Sequence, residues 1–193
     1  MVGLALVAAL LVVGVALVAP QALDAVIQDE ANAARANSEQ VSLDGVLVVA
    51  DLSTEHRDDQ DIEYDHVPPI GGAHDDEWLA CGAFDEPVRD ENAVHDLEHG
   101  TVWITYDPGL AEQDVAALED VLPDDGIMSP YPDLPAPVVI TVWGAQLRLS
   151  GPHDPRLPLF IDEFGDGGTA PEAMASCEGG TTDRQGGPEG VTV

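Results

Sequence analysis

His95 and His99 stand four positions apart, and Glu98 lies three beyond His95. On a helix such positions share a face, with Cβ atoms about 5–6 Å apart, which suits two imidazoles converging on one ion. His74 follows Gly71-Gly72, whose lack of side chains lets the backbone fold tightly enough to bring in a third imidazole. His66, just ahead of Pro68-Pro69, is a fourth candidate on a stiff lead-in. Three neutral imidazoles around an open position are a common zinc or copper arrangement. The expected metal set is therefore His74, His95, His99 and His66, with Glu98 as a ligand or as a carboxylate that orients a ligating imidazole. Met128 is core filler by residue type, although a thioether beside imidazoles would favour copper(I).

Each histidine has a plainer role when taken singly. His99 sits at the end of the expected helix, where the dipole favours an imidazolium without any metal. His95 fits a hydrogen-bonded core histidine, and Glu98 could simply bond a neighbouring loop. Clustering weighs against these readings for the set, because four of the 6 histidines fall between His66 and His99. The remaining two, His56 and His153, are assigned to solvated loops. His95 to His99 also spells H-x-x-E-H, a protease motif. Five letters recur by chance, however, and Gly100 ends the helix at once. There is no phosphate-binding glycine loop, no dinucleotide fingerprint and no serine or cysteine nucleophile with a convincing partner.

The elements that must position these residues are legible in outline. Val41–Asp51 predicts strands around a turn at Asp44-Gly45, and Leu52–Asp90 a long irregular loop. A short helix follows, with Asp90 as N-cap, Glu91 in its first turn and Gly100 as its stop. Thr101–Tyr106 is a strand, Leu110–Leu122 a helix with Leu110, Val115, Leu118, Val121 and Leu122 inward, and Val138–Trp143 a second strong strand. Strand, helix and strand in that order favour a right-handed crossover. Leu157–Phe164 forms a last short helix or strand. The fold class is α+β in a single domain spanning residues 41–178. Residues 1–40 form a membrane anchor with a juxtamembrane helix, and 179–193 a disordered tail.

Charge bounds the partners. Six basic residues, all arginine, stand against 37 acidic ones for a net charge of −31, which excludes nucleic acid and anionic lipid as partners. Carboxylates spread from Asp24 to Glu189 without a single lysine point to a salt-adapted source, a haloarchaeon, where the Debye length is only a few ångströms. Val2–Ala19 carries no charged residue and is about as long as the ~18–20 residues that cross a bilayer. A cleaved signal would show a basic n-region, and Pro20 after Ala19 disfavours cleavage, so an uncleaved single-pass anchor with the acidic domain outside is expected. In an exported chain the two cysteines, Cys81 and Cys177, pair by default.

The stretch HVPPIGGAHDDEWLACGAFDEPV, followed by ENAVHDLEHGTVWITYDP, resembles the bacterial and archaeal proteins grouped as domain of unknown function 3105. Their signature is a PPxxGxH loop followed by VHxLEHG and a strand. VVITVWG, FIDEF and PEAMASC are similar to that family too, so the resemblance covers about Tyr64 to Cys177. It implies a single N-terminal apolar segment, an extracytoplasmic domain and no established activity. Phe84 stands where a tyrosine often does and is given no role.

Three functions remain in competition. The domain holds copper or zinc outside the cell, or it hydrolyses a substrate with Glu98 as general base beside a metal-bound water, or it is an interaction module with a histidine hydrogen-bond core. The first stands ahead of the third, and the hydrolase last; no protein partner is indicated. Mass spectrometry of protein from native membranes is expected to find Val2–Ala19 still attached. A mature N-terminus just after Ala19 would show a cleaved signal instead.

Overall fold

The computed structural model describes residues 27–28 and 42–185. The apolar segment Val2–Ala19 lies outside them, as do residues 186–193 of the expected tail and, apart from helical Ile27 and Gln28, the expected juxtamembrane helix. Among the described residues no helix is long and apolar enough to cross a membrane.

Six strands form one mixed sheet: β1 (Leu47–Val48), β2 (Gly82–Ala83), β3 (Val102–Tyr106), β4 (Gly126–Pro130), β5 (Val138–Val142) and β6 (Ala145–Leu149), in spatial order β1-β6-β5-β3-β4-β2. β3 pairs antiparallel with β5 and parallel with β4, so the sheet changes character at its central strand. The strand–helix–strand unit expected from the sequence therefore closes differently. α2 (Glu112–Glu119) leads from β3 to β4, whereas Val138–Trp143 returns antiparallel. β4 escaped the sequence reading because GIMSP opens on glycine, ends on proline and offers only Ile127 and Met128 as apolar signal. Val121, expected to face inward, is 45% exposed, because α2 stops at Glu119.

Strand alternation separates two cores. Val102, Ile104, Tyr106, Met128, Ile140 and Leu147 pack with Leu118 of α2 and with Leu157 and Phe160 of α3 (Arg156–Phe164) on one face. Trp103, Ile127 and Trp143 pack with Leu79 and with Ala93, Val94 and Leu97 of α1 (Asp90–Glu98) on the other. Met128 thus belongs to the face opposite α1.

α1 starts and stops for local reasons. Arg89 occupies the N-cap and makes no side-chain capping bond, while Asp90 and Glu91 place carboxylates in the first turn, where the helix dipole favours them. The Asp90 side chain instead accepts a hydrogen bond from Tyr131 Oη at 2.8 Å. At the other end Gly100, at φ +94°, takes the left-handed position that ends the helix. Its N–H donates to Leu97 O and that of Thr101 to Asp96 O, both at 3.0 Å, the double bond of a Schellman stop.

The segment after Cys177, expected to be disordered, is tied down as far as the description extends. Thr181 forms a parallel bridge with Leu79, and Arg184 O accepts from Arg89 N at 2.8 Å.

Burial pushes the Asp90 carboxyl up to about 6, partly opposed by the bond from Tyr131. An acid raised in the folded state gives stability that is present below its unfolded value of about 4 and lost as pH climbs through 6. Asp90→Asn keeps an acceptor for Tyr131 and removes that loss. Its stability relative to wild type is expected to rise between pH 4 and 6, by up to about 1.4 kcal/mol per pH unit, in urea titrations at stepped pH.

Candidate metal centre

α1 is buried over eight of its nine residues, among them Glu91, Asn92, His95, Asp96 and Glu98. A polar helix in that position needs partners, and the irregular loop from Leu52 to Ala80 supplies them. Ile62 N donates to Glu91 Oε1 at 2.7 Å, Asn92 Nδ2 donates to Glu77 O at 2.9 Å, and Leu79 N donates to Asp96 Oδ2 at 2.9 Å. Arg89 joins the two layers, reaching Asp75 Oδ2 at 2.6 Å, Gln60 O at 2.6 Å and Glu91 Oε2 at 3.1 Å. Burial alone would raise the Asp75 carboxyl, but bonds from Glu77 N, Arg89 and Asp59 N outweigh it and hold Asp75 below the usual carboxylate range. Asp96 receives only the bond from Leu79 N, which does not offset burial, so its carboxyl is raised well above that range.

Within this frame His56, His74, His95 and Glu98 each turn one ligand atom inward, all within 4.8 Å of one another. The three imidazole centroids make a near-equilateral triangle, with sides of 4.6, 5.0 and 4.9 Å. Backbone carbonyls fix two of the rings. His74 Nδ1 donates to Gly72 O at 2.8 Å, and His95 Nδ1 donates to Asp75 O at 2.7 Å. A carbonyl only accepts, so each Nδ1 carries a proton; in a neutral ring Nε2 then presents a lone pair, the form in which histidine ligates. Burial, then the neighbouring His99, pushes His95 down to about 4, which leaves it neutral at physiological pH.

His74 Nε2 lies 3.0 Å from Glu98 Oε2, yet it is buried without a hydrogen bond, because the two atoms are not aligned as donor and acceptor. Two electron-rich atoms this close in a dry interior repel unless positive charge stands between or beside them. His56 Nε2 lies 3.4 Å from the same carboxylate oxygen, while its Nδ1 is 2.8 Å from Asp76 Oδ1. Ligands 2.0–2.1 Å from a tetrahedral zinc stand about 3.4 Å apart, so an ion could be held after a contraction on the order of 1 Å.

Loop geometry makes this convergence possible. Gly71 and Gly72 sit at φ +132° and +127°, and a Cβ on Gly71 would fall 2.8 Å from Leu52 Cδ1 and 3.1 Å from Trp143. The turn delivers His74 edge-on to Trp143 and into a parallel bridge with His56.

The expected set is thus brought together in part. His74, His95 and Glu98 converge. His99 backs His95 in a T-shaped contact at 4.5 Å, pressed also by Trp78 at 5.2 Å, and is not one of the four converging residues. Burial lowers its pKa, outweighing the attraction of Glu172, so the expected gain from the helix dipole does not decide its charge. His66 points to a separate cavity of about 270 Å³ that it lines with Arg57, Tyr64, Gly71 and Gly72. His56, assigned to a solvated loop, takes the place expected of those two. No periodicity announced it, because a single bridge rather than a strand or helix aligns it with His74.

A strap from the C-terminal region closes the end of α1. Glu172 N donates to Glu98 O at 3.0 Å, and a Cβ on Gly100 would fall 3.0 Å from Gly167 Cα. Cys177 is bonded to Cys81 across 96 positions, as expected. Asp125 Oδ1 accepts from Cys177 N at 3.0 Å and Ser176 Oγ at 2.9 Å beside that bond.

These features define a small α+β domain whose mixed sheet carries a buried histidine–carboxylate centre on one face. A family model described as protein of unknown function (DUF3105) matches residues 56–179, and the chain belongs to that family. No curated protein and no solved structure matches it. The family match opens at His56, the first of the four converging residues, and takes in the other three.

Removing the disulfide frees the strap. Cys81→Ser with Cys177→Ser is expected to lower unfolding stability by as much as about 4–5 kcal/mol, the chain-entropy value for a loop of this length. Denaturant titration of the double variant measures it; a loss below about 1 kcal/mol would mean that the strap is held by its other contacts.

Proposed function

We propose that this protein holds a zinc or copper ion outside the cell through His56, His74, His95 and Glu98, on a domain anchored by Val2–Ala19. The supporting observation is the unpaired approach of His74 Nε2 to Glu98 Oε2 at 3.0 Å, with Nδ1 of the same ring already committed to Gly72 O. A histidine hydrogen-bond core, the competing reading, would align these atoms as donor and acceptor. Met128 packs on the opposite face of the sheet, so the donor set is three imidazoles and a carboxylate without sulfur. Such a set suits zinc(II) or copper(II) over copper(I). Glu98 points among the ligands rather than standing off as a general base, and four protein donors close a tetrahedral shell, which favours ion handling over hydrolysis.

The full chain, purified without a histidine tag, is expected to carry one equivalent of zinc or copper by elemental analysis. Zinc(II) at a hundred times its dissociation constant is expected to stabilise it by about 2.7 kcal/mol. His95→Ala is expected to weaken zinc binding at least about 100-fold, whereas His99→Ala, which removes only a ring packed behind His95, costs less than about tenfold. Sub-stoichiometric metal in wild type, or equal effects of the two variants, would return the histidines to a structural role.

A further inference from the structure

The four converging residues are unequal, and the inequality carries a reading of how an ion enters and leaves. It rests on the proposed metal centre and deepens it. Three donors belong to the interior: the side chains of His74 and Glu98 are 0% and 3% exposed, and His95 is 4% exposed. Their supports are also internal. Gly72 O and Asp75 O hold the two imidazoles, and Glu98 and His95 share one helix. His56 differs in each respect. Its side chain is 43% exposed, and its Nδ1 partner is the carboxylate of Asp76, itself 54% exposed. Its backbone joins the rest of the site only through the bridge in which His74 N donates to Glu55 O at 3.0 Å and Arg57 N donates to His74 O at 2.7 Å.

An ion seated among these donors has protein on the sides of His74, His95 and Glu98, and among the four only His56 stands at the solvent boundary. Turning one side chain about its own bonds clears that boundary, a movement exposed residues make in nanoseconds or less. Turning His74 or His95 breaks a buried hydrogen bond to a backbone carbonyl, and the Glu98 side chain, 3% exposed, has protein around it. Outside His56 stand the carboxylates of Asp76 and, beside it, Asp58, a negative approach that concentrates cations.

We infer that His56 is the exchangeable donor of a three-plus-one centre: His74, His95 and Glu98 retain the ion, while an incoming nitrogen or oxygen donor takes the place of His56 to load or remove it. Asp76 acts as its positioning residue, holding Nδ1 so that Nε2 faces inward. The exchange is a ligand substitution in which one metal–nitrogen bond breaks as another metal–donor bond forms. The ion keeps its charge, and no oxidant or reductant is consumed.

The test uses the full chain loaded with zinc(II) and challenged with nitrilotriacetate, followed by the rate of ion loss. Wild type is expected to lose its ion at a rate that rises with chelator concentration. His56→Ala is expected to keep 1:1 binding with affinity lowered about 10–100-fold, to release the ion at least about tenfold faster, and to regain affinity when millimolar imidazole is added. Asp76→Ala is expected to accelerate release with a smaller loss of affinity. His95→Ala is expected to lose stoichiometric binding without rescue by imidazole. The inference is overturned if His56→Ala loses 1:1 binding as fully as His95→Ala, if its release rate matches wild type, or if imidazole restores nothing. Wild-type protein that takes up no zinc(II) or copper(II) overturns the metal centre itself, an outcome distinct from the other three.

Discussion

The structure turns on one constraint: α1 is buried nearly all round although much of it is polar. Most buried helices meet the interior with apolar side chains. Here Glu91, Asn92, His95, Asp96 and Glu98 are buried, and each would be destabilising by a few kcal/mol if left unpaired. The loop between Leu52 and Ala80 has no strands or helix of its own to fix it, so its partners on α1 set its path. Ile62, Asp75, Glu77 and Leu79 each spend a backbone group on that helix. Loop order and helix burial are therefore one event. A change that removes either set of partners leaves the other unsatisfied.

Charge adds a second condition. In a chain of net charge −31, a site built from carboxylates and imidazoles needs a cation nearby, and Arg89 supplies it from the start of α1. It is mostly buried against Asp75 and Glu91, so salt screens these pairs far less than it screens the surface. Concentrated salt would mute repulsion among exposed carboxylates while leaving the frame of the centre intact. The bond from Glu77 N, with those from Arg89 and Asp59 N, holds buried Asp75 below the usual carboxylate range, while Asp96, bonded only by Leu79 N, is raised above it.

Much of this was legible in the sequence, and the failures have physical causes. α1, β3, β5 and the Gly100 stop followed from propensity and spacing, and the pairing of Cys81 with Cys177 from the expected export of a chain with only two cysteines. The i, i+3 relation of His95 and Glu98 placed both on one face, and Gly71-Gly72 did mark the turn that delivers His74. The same helical logic misplaced His99, because sharing a face with His95 does not require sharing an ion. His99 sits at the helix end, where the chain already turns away under Trp78. β4 and His56 were hidden for a common reason. Each is defined by pairing with a segment distant in sequence, β4 by its parallel neighbours and His56 by a bridge to His74, and neither leaves a periodic trace.

The sheet itself settles a chemical question that residue types left open. Successive side chains on a strand point to opposite faces, so the one-residue step from Ile127 to Met128 carries the chain from the core beneath α1 to the core beneath α2 and α3. A thioether one position earlier would have faced the histidine side. As the register stands, Ile127 lies opposite Trp103 and Met128 opposite Ile104, which fixes sulfur on the far side of the sheet. Slipping that register by one residue would move every buried side chain of β4 to the wrong layer, so the interior hydrophobics enforce it. The nitrogen-and-oxygen character of the centre is thus a consequence of apolar packing in a strand that contributes no ligand.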